Sequence, residues 1–398
     1  MSQDPLILAP PARTGRRPSG ICLNMIVRDE TAVLERLFRS VHPAIDSFVI
    51  VDTGSKDGTP ELLAELALQY RIPGEVHHRD WVNFGHNRQQ ALELAMAAGR
   101  GDWLLIMDAD DELGQSREDW FRQLQPGCSY RLEKHHDELR YALDNLIWWR
   151  GRRWQWRGVV HECLVPSPAL DQAVRLQTAW IIHHSGQGAR SLGLSSSEKY
   201  RRDALLLEQA LAIDPNDARA CFYLAQSWRD AGEPARALDH YRRRAAMGGW
   251  DEEVYVARCE QLKLLIALGA KEQDIVQLGM TAFAQRPHRA EALWILARYF
   301  RERQRYAEGY LFAAAGKDLP VPDSDILFVR RDLYRWRLLD EFAICAYWVG
   351  RYDESARAGE RLLRQNHHPA SESERIRRNL DFALDKLAQG GHLKPDQR

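Results

Sequence analysis

A run of acidic residues follows a short apolar segment in the first half of the chain. Residues 103 to 107, Trp-Leu-Leu-Ile-Met, give way at once to Asp108-Ala109-Asp110-Asp111. Two carboxylates one residue apart at a strand end can hold a divalent cation, which can bind nucleotide phosphates at the same time. A nucleotide sugar supplies such a diphosphate, and the cation would offset the charge that builds on the leaving group. The alternative is a solvated acidic turn without a ligand.

A second polar loop, residues 52 to 59, joins an apolar segment to a helical one and contains two glycines. Asp52 stands where the apolar segment ends, so its carboxylate is placed to accept hydrogen bonds from a nucleotide base or ribose. Glycine permits the tight turn that close approach to a ligand requires. The same loop also suits a helix-capping turn, with Asp57 or Thr59 at the helix N-terminus and Pro60 in the first turn. Both interpretations can hold together.

Short apolar segments alternate with helical segments through the first half of the chain, and these elements must position the two polar loops. Residues 21 to 27, 47 to 51 and 103 to 107 have the pattern of buried strands, and a helix over about 88 to 98 precedes the third. Such alternation predicts a mostly parallel, Rossmann-like α/β sheet with helices on both faces. Ligands bind at the carboxyl ends of such strands, where both polar loops fall.

From about residue 195 onward, nearly every segment has helical periodicity. Residues 218 to 247 predict a helical hairpin that turns near Gly232, and its small and large residues follow the tetratricopeptide pattern, whose period is about 34 residues. Weaker copies follow around Phe300 and Phe342. The predicted architecture is therefore an α/β domain followed by an all-α domain of tetratricopeptide-like helical repeats. An unrelated helical bundle is the alternative.

The composition limits the class of protein. Of 398 residues, 45% are hydrophobic and 28% are charged, with a formal net charge of -1, which argues against disorder and against charge-driven binding of nucleic acid. No apolar run approaches the roughly 20 residues of a transmembrane helix. Residues 1–20 lack an apolar stretch of signal-peptide length, so we expect a flexible tail there and a cytoplasmic protein. The six cysteines lack zinc-ligand spacing and suit free thiols.

Three motifs in order resemble those of family 2 glycosyltransferases. They are Leu-Asn-Met-Ile-Val-Arg-Asp-Glu at 23–30, Val-Asp-Thr-Gly-Ser-Lys-Asp-Gly-Thr at 51–59 and Asp-Ala-Asp-Asp at 108–111. With the helical repeats, the whole chain is similar to bacterial family 2 enzymes that carry a C-terminal tetratricopeptide domain. The resemblance implies a GT-A domain over residues 21–190, a repeat domain over 195–390, a nucleotide-sugar donor, a Mn²⁺ or Mg²⁺ ion, and inversion at the anomeric carbon.

The resemblance also implies roles for residues at the nucleotide site. Asp52 matches the aspartate that contacts the base, and Asp108 and Asp110 match the DxD pair that lies near ribose, diphosphate and metal. Arg88 matches an arginine near the nucleotide, and an ordinary surface arginine is the alternative.

At the first motif the family usually has Asn-Glu where this chain has Asp29-Glu30. The departure is mild, because in the family the backbone of this strand end lies along the base. The residues that the resemblance assigns to this part of the nucleotide site are Val27 and Glu30.

An inverting transferase needs a base that takes the proton of the acceptor hydroxyl. His161-Glu162 resembles a His-Glu segment of this subgroup, so we expect Glu162 to be the base, with His161 beside it and Asp111 as the alternative base. The His-Glu segment could instead only anchor a loop. A histidine late in GT-A domains binds the metal in many members, and here His183 or His184 matches it. Adjacent strand residues face opposite sides, so the sequence does not decide which of the two points inward, and we favour His183.

A segment rich in tryptophan and arginine, residues 148 to 157, lies between these motifs. Tryptophan rings stack on sugars and arginine binds phosphates or carboxylates, so Trp154 and Trp156, with His161, are candidates for an acceptor site or lid. Packing of the tryptophans in the core is the alternative. Binding of single-stranded nucleic acid is disfavoured because the basic cluster is short and the chain is nearly neutral.

Together, the motifs and the family resemblance predict an inverting hexosyltransferase. The donor is a nucleotide-diphosphate sugar and is expected to be a UDP-sugar. The acceptor is expected to be a protein, a peptide or a surface glycan, and the helices would bind the acceptor, a partner protein or a second copy of the chain. Two other classes stay open: a repeat scaffold that binds nucleotides without turnover, and a nucleotidyltransferase, which would release pyrophosphate. The nucleotidyltransferase ranks third, because no glycine-rich loop of that class follows the first strand.

Overall fold

The structure is a computed structural model that describes residues 5–10, 20–136, 139–167, 174–184, 187 and 195–390. The chain divides into two compact units, Met1–Gly232 and Glu233–Arg398. The first unit contains the sheet together with α4 (Ser196–Ile213) and α5 (Ala218–Asp230). The domain limits expected from the sequence, 190 and 195, differ from this division and stay a prediction.

Four parallel strands form the centre of the first unit, in the spatial order β4, β3, β2 and β5. They are β2 (Ile21–Val27), β3 (Ser47–Asp52), β4 (Gly74–His78) and β5 (Trp103–Ile106). β2 and β3 are apolar and buried almost throughout, as strands covered on both faces require. The predicted parallel sheet is confirmed, and both polar loops follow its carboxyl ends.

A short strand, β1 (Leu6–Leu8), pairs antiparallel with β4 at the edge of the sheet. This strand corrects the expectation of a flexible tail over residues 1–20, because the apolar sequence Leu-Ile-Leu pairs with an otherwise open strand edge. Residues 1–4 and 11–19 of the predicted tail lie outside the described residues.

The strands after β5 in the first unit are β6 (Asp111–Gln115), β7 (Tyr130–His136), β8 (Leu139–Trp148), β9 (Arg153–Arg157), β10 (Cys163–Ser167) and β11 (Val174–His183). The sheet continues beyond β5 in the spatial order β8, β7, β11 and β6. β8 is antiparallel to β5 and to β7, β11 is parallel to β7, and β6 is antiparallel to β11. A separate hairpin pairs β9 with β10. This extension, which the sequence analysis did not specify, brings β7 and β11 close to the acidic turn between β5 and β6. A 3₁₀ turn lies at Trp120–Gln123, between β6 and β7.

Three helices follow the parallel strands: α1 (Thr31–Val41), α2 (Thr59–Tyr70) and α3 (Phe84–Ala98). The helix predicted from about residue 88 begins earlier, at Phe84. Asn83 caps it, since its side chain accepts a hydrogen bond from the backbone N–H of His86 at 2.9 Å. The earlier start places Arg88 one turn into α3 and not at its first residue.

The helices of the second unit stack in sequence. Each helix from α6 to α13 packs against the next one in the chain. In addition, α9 packs against both α7 and α11. This is the arrangement of stacked helical hairpins. Glycine permits one close crossing, because a Cβ at Gly279 would lie 2.6 Å from the Leu296 side chain. The predicted fold class, an α/β sheet of GT-A type followed by tetratricopeptide-like helices, is confirmed. The bounds are α6 (Pro234–Ala246), α7 (Asp251–Ala267), α8 (Glu272–Gln285), α9 (Glu291–Glu302), α10 (Tyr306–Gly316), β12 (Val329–Arg330), a π-helical turn (Leu333–Arg337), α11 (Leu338–Trp348), α12 (Tyr352–Gln365), a 3₁₀ turn (Ala370–Glu372) and α13 (Ser373–Ala388).

Two sequence expectations concern the chain as a whole. Within the described residues, no helix has both the length and the apolar composition that crossing a bilayer requires. The six cysteines are free thiols. Burial raises the pKa of the Cys22 thiol to about 12, so this thiol stays uncharged at neutral pH.

A buried ion-pair network joins α9 to the segment that follows α10. The guanidinium of buried Arg289 donates to Oδ2 of Asp325 at 2.9 Å and to both carboxylate oxygens of Glu291 at 2.9 Å. Arg286 donates to Oδ1 of Asp325 at 2.7 Å. Burial alone would raise the pKa of Asp325, but the hydrogen bonds from Arg286 and Arg289 outweigh burial and lower that pKa from 3.8 to about 2.

The low pKa of Asp325 predicts a specific loss of stability in acid. Because the folded-state pKa is depressed, the ionised carboxylate stabilises the fold above about pH 4, by about 2 kcal/mol, and this is lost as the pH falls to about 2. We expect the free energy of unfolding, measured with urea, to fall more steeply over that range for the wild type than for Asp325→Asn. Asp385→Asn, which removes an exposed carboxylate on α13, should keep the wild-type slope. Equal slopes for the wild type and Asp325→Asn would contradict the assignment.

Candidate active site

The carboxyl ends of the four parallel strands meet at one edge of the sheet. Val27 at the end of β2 is in register with Asp52 at the end of β3, and Asp52 is in register with His78 at the end of β4. Asp108 lies two residues beyond the end of β5. In open α/β sheets, ligands bind at this edge. The structure therefore brings together the two polar loops that the sequence analysis selected.

The carboxylate of Asp52 organises its own loop. The residue is 4% exposed and accepts hydrogen bonds from the backbone N–H groups of Gly54 and Ser55, each at 3.2 Å, and from the Ser55 hydroxyl. The Nδ1 atom of His78 lies 3.3 Å from its Oδ2. Because a carboxylate accepts about four hydrogen bonds, much of the capacity of Asp52 is used within the protein. His78, which the sequence analysis did not select, is the half-exposed side chain beside it.

Asp57 performs the structural role that was left open for this loop. It accepts hydrogen bonds from the backbone N–H of Thr31 at 3.0 Å, from the Thr31 hydroxyl at 2.8 Å and from the N–H of Thr59 at 3.0 Å. Burial would raise the pKa of Asp57, but the hydrogen bonds from Thr59 and Thr31 lower it overall. The turn interpretation therefore applies to Asp57, with Pro60 in the first turn of α2. A nucleotide contact through Asp52 stays a prediction.

The first strand-end motif is tied to the same loop. The carbonyl of Val27 accepts hydrogen bonds from the N–H of Thr53 at 2.9 Å and from its hydroxyl at 3.1 Å. The N–H of Glu30 donates to the Thr59 hydroxyl at 2.9 Å, and Glu30 is the N-cap position of α1. Asp29 has a positive φ of 55°, a conformation that short polar side chains tolerate. Val27 and Glu30 therefore lie at the predicted nucleotide edge.

The acidic turn is held by two basic side chains. Arg88 donates from Nη2 to Oδ1 of Asp108 at 2.5 Å, and the Lys134 ammonium donates to Oδ2 of Asp108 at 3.3 Å and to Oδ2 of Asp111 at 2.9 Å. Asp111 is 1% exposed, and its Oδ1 lies 3.0 Å from Nδ1 of His183. Burial would raise the pKa of Asp108, but the charges of Arg88 and Lys134 hold it well below the ordinary value. The turn is therefore a charge-compensated, partly buried cluster and not a solvated acidic loop.

Arg88 also reaches the predicted base. Its Nε donates to Oε1 of Glu162 at 2.5 Å, and the Glu162 side chain is 10% exposed. The first turn of α3 lies against the loop that carries Glu162, because a Cβ at Gly85 would sit 2.2 Å from the carbonyl oxygen of Gly158. Only glycine at position 85 permits this backbone contact. Arg88 thus joins the His-Glu segment to the acidic turn, and the alternative of a surface arginine does not hold.

Residues of α5 hold His161 in place. Its ring stacks on Tyr223 with centroids 4.2 Å apart, and its carbonyl accepts a hydrogen bond from Nε of Arg219 at 3.2 Å. The residue has a positive φ of 54°, which the stack and the hydrogen bond support. The loop-anchor interpretation therefore fits His161, whereas Glu162 faces Arg88.

A divalent cation fits a set of ligands that differs from the predicted one. One ligand atom each from Asp110, Asp111 and His183 lies within 4.8 Å of the others, and two carboxylates with an imidazole suit Mn²⁺ or Mg²⁺. The predicted set was Asp108, Asp110 and His183. Asp108 instead contacts Arg88 and Lys134. β6 begins at Asp111, and the register of β6 with β11 sets His183 opposite Asp111.

The same register places the two histidines against different carboxylates. His184 lies 3.0 Å from a carboxylate oxygen of Glu112, outside the ligand set. Burial and the charges of Asp108 and Asp111 raise the pKa of Asp110. A bound cation would relieve that repulsion, which is a further reason why this set suits one.

The two candidate acceptor tryptophans differ in position. Trp154 is 4% exposed, donates from its indole N–H to the carbonyl of Trp148 at 3.2 Å and belongs to a hydrophobic core cluster. It does not line the site, so the core-packing alternative applies. Trp156 borders the site, with the guanidinium of Arg88 5.3 Å from its ring centroid.

Lys134 is the main residue at this site that the sequence analysis missed. It lies on β7 and is 7% exposed, and although burial alone would lower its pKa, the charges of Asp108 and Asp111 raise it. A signal was present, because Tyr130, Leu132 and Lys134 share one strand face and the first two are buried. A lysine at such a position needs a buried carboxylate partner.

The role of Arg88 in holding the site predicts a large stability cost. Arg88→Met leaves the carboxylates of Asp108 and Glu162 without their shared partner, and breaking a buried ion pair from one side costs about 3–5 kcal/mol. Urea unfolding should show this loss, and Arg88→Met/Glu162→Gln should recover part of it. Arg117→Met, which breaks an exposed pair with Asp119, should cost less than about 1 kcal/mol. A loss for Arg88→Met no larger than that control would refute the role.

Comparison with known proteins covers part of the chain. Residues 23–125 match the family model for glycosyl transferase family 2, a span that includes Asp52, Arg88 and the acidic turn and ends before Lys134 and Glu162. An uncharacterized glycosyltransferase of Rickettsia prowazekii is 29% identical over 129 residues, 32% of this chain and 38% of the relative. A TPR repeat-containing protein of Synechococcus elongatus is 32% identical over 224 residues, 52% of each chain. The chain thus spans about half or less of the length of these curated relatives.

Among solved structures, a tetratricopeptide repeat protein from Parabacteroides merdae covers 48% of this chain and 70% of its own, with 18% identity and a TM-score of 0.36. A TPR protein of Thermus thermophilus covers 47% of this chain and 91% of its own, with 16% identity and a TM-score of 0.32. These scores are too low to add to the description of the helices given above. The matched segment, with its strand-end motifs and its glycosyltransferase relatives, shows that the chain carries a family 2 glycosyltransferase domain, followed by tetratricopeptide-like helices.

Proposed function

We propose that the chain is an inverting, metal-dependent hexosyltransferase that uses a nucleotide-diphosphate sugar, with a UDP-sugar as the first donor to test. The observation that carries the proposal is the cluster of Asp110, Asp111 and His183 at the sheet edge, next to the Arg88 link between Asp108 and Glu162. A family 2 glycosyltransferase domain needs a donor diphosphate and an acceptor, and this cluster offers cation ligands and a carboxylate base within one site.

Each part of the donor has residues of suitable chemistry at this edge. Asp52 and His78, at neighbouring strand ends, suit the base or ribose. Arg88 and Lys134 carry positive charge, which favours the diphosphate. Asp110, Asp111 and His183 would hold Mn²⁺ or Mg²⁺, and the ion would offset charge on the departing nucleoside diphosphate.

Glu162 is the base that this geometry favours. The acceptor oxygen attacks the anomeric carbon, the bond from that carbon to the phosphate oxygen breaks, and the acceptor proton passes to the Glu162 carboxylate. Arg88 binds Oε1 of Glu162, which orients the carboxylate. Asp111, the alternative base, is almost fully buried, with Lys134 on one oxygen and His183 beside the other. An acceptor hydroxyl has poorer access to Asp111.

For the acceptor, we propose a protein, a peptide or a surface glycan. The helices of the second unit stack as repeats do, and stacked repeats form extended surfaces that bind peptides and other proteins. They would engage the acceptor, a partner protein or a second copy of this chain. A cytoplasmic location stays a prediction.

Donor turnover tests the proposed chemistry directly. We expect the full chain with Mn²⁺ or Mg²⁺ to release a nucleoside diphosphate from one member of a nucleotide-sugar panel, and Asp110→Ala to abolish that release. Glu118→Gln, which alters an exposed carboxylate, should leave it unchanged. Release of pyrophosphate from a nucleotide would instead indicate a nucleotidyltransferase, and binding of no nucleotide sugar in a thermal-shift assay would favour the scaffold class.

The assignment of the base makes a separate prediction. Glu162→Gln keeps an oxygen that can accept from Arg88 but cannot take a proton, so kcat should fall by about 10²–10⁴-fold while the donor Kd stays near the wild-type value. Single-turnover kinetics and donor titration would measure the two quantities. Full turnover in Glu162→Gln, with a comparable loss in Asp111→Asn, would transfer the role to Asp111.

A further inference from the structure

The Lys134 ammonium occupies the carboxylates that would serve a divalent cation. Its Nζ atom lies 2.9 Å from Oδ2 of Asp111 and 3.3 Å from Oδ2 of Asp108. Asp111 belongs to the ligand set of Asp110, Asp111 and His183. A divalent ion on Asp111 would therefore share this carboxylate with a positive side chain.

Lys134 is poorly placed to withdraw from the site. It lies on β7, paired with β8 on one side and with β11 on the other, and the side chain is buried. Tyr141 is its register partner on β8, while Lys134 is in register with Ile181 on β11. Because the side chain is buried, its ammonium has little access to water, and its charge stays near Asp108 and Asp111.

We propose that Lys134 is a resident cation that weakens divalent-ion binding until a nucleotide diphosphate is present. Two positive charges that share one carboxylate repel each other strongly in a site of low dielectric. The diphosphate supplies negative charge that both can bind, so the ion and the nucleotide bind cooperatively through Lys134. This inference rests on the proposed function, because the diphosphate is that of the donor.

The proposal gives Lys134 a coupling role that is distinct from simple phosphate binding. Coupling is reciprocal, so Lys134 must change the effect of the nucleotide on ion affinity and the effect of the ion on nucleotide affinity by the same factor. A lysine that only contacts phosphate would change nucleotide affinity and leave the affinity for the ion alone unchanged.

The test is a titration of Mn²⁺ into the full chain, followed by calorimetry or by the electron paramagnetic resonance of free Mn²⁺, with and without UDP. We expect Lys134→Met to bind Mn²⁺ alone about tenfold more tightly than the wild type, and to show a smaller gain in affinity when UDP is added. Lys134→Arg, which keeps the charge, should behave as the wild type does. Lys263→Met, a change at a half-exposed lysine of the second unit, is the matched control. An affinity of Lys134→Met for Mn²⁺ alone that is equal to or weaker than that of the wild type would overturn the proposal.

Thermal unfolding keeps the proposal testable if Lys134→Met is unstable. The variant leaves Asp111 buried without its ammonium, so its Tm should be low without metal, and Mn²⁺ alone should raise its Tm more than it raises the wild-type Tm. An equal or smaller rise in the variant would contradict the proposal. The arm without nucleotide tests Lys134 even if the wild type releases no nucleoside diphosphate, so its outcome is separate from that of the proposed function.

Discussion

Carboxylates from separate parts of the chain lie together at the sheet edge because two buried cations compensate their charges. Arg88 from α3 links Asp108 to Glu162, and Lys134 from β7 links Asp108 to Asp111. Without them, the like charges of these neighbouring carboxylates would repel each other. The two basic side chains therefore hold the acidic turn and the Glu162 carboxylate together. Such preorganised charge is a main source of catalytic stabilisation in enzymes.

Much of the site could be predicted because it follows strand ends. Asp52 and the acidic turn each come directly after a buried apolar segment, and a parallel sheet gathers such ends at one edge. The pairing within the site could not be predicted in the same way. Lys134 is separated from Asp111 by 23 residues of sequence, and only the antiparallel extension of the sheet brings β7 beside the turn. The candidate cluster contains Asp111 where the prediction has Asp108 for the same reason, since β6 begins at Asp111.

Strand periodicity also bears on the side chains that lie beside the site. His183 and His184 alternate across β11, and the register with β6 decides that His183 meets Asp111. Trp154 and Trp156 are on the same strand face by spacing, yet one is in the core and the other borders the site. A sequence pattern of period two places both on one face and carries no information about which of them the core covers. The ion-pair network around Arg289 in the second unit was also missed, because Asp325 lies far from Arg289 in the sequence.

The support that α5 gives to the loop before Glu162 bears on how proteins of this design can be recombined. The change of sequence rhythm near residue 195 suggests a natural joint, but Tyr223 and Arg219, which hold His161, come after it. A chimera joined at that point would replace Tyr223 and Arg219 along with the helices. The loop before Glu162 would then lose part of the contacts that hold it. A joint after α5, near Gly232, keeps α4 and α5 with the sheet. The modular boundary for engineering therefore lies inside the helical half of the sequence.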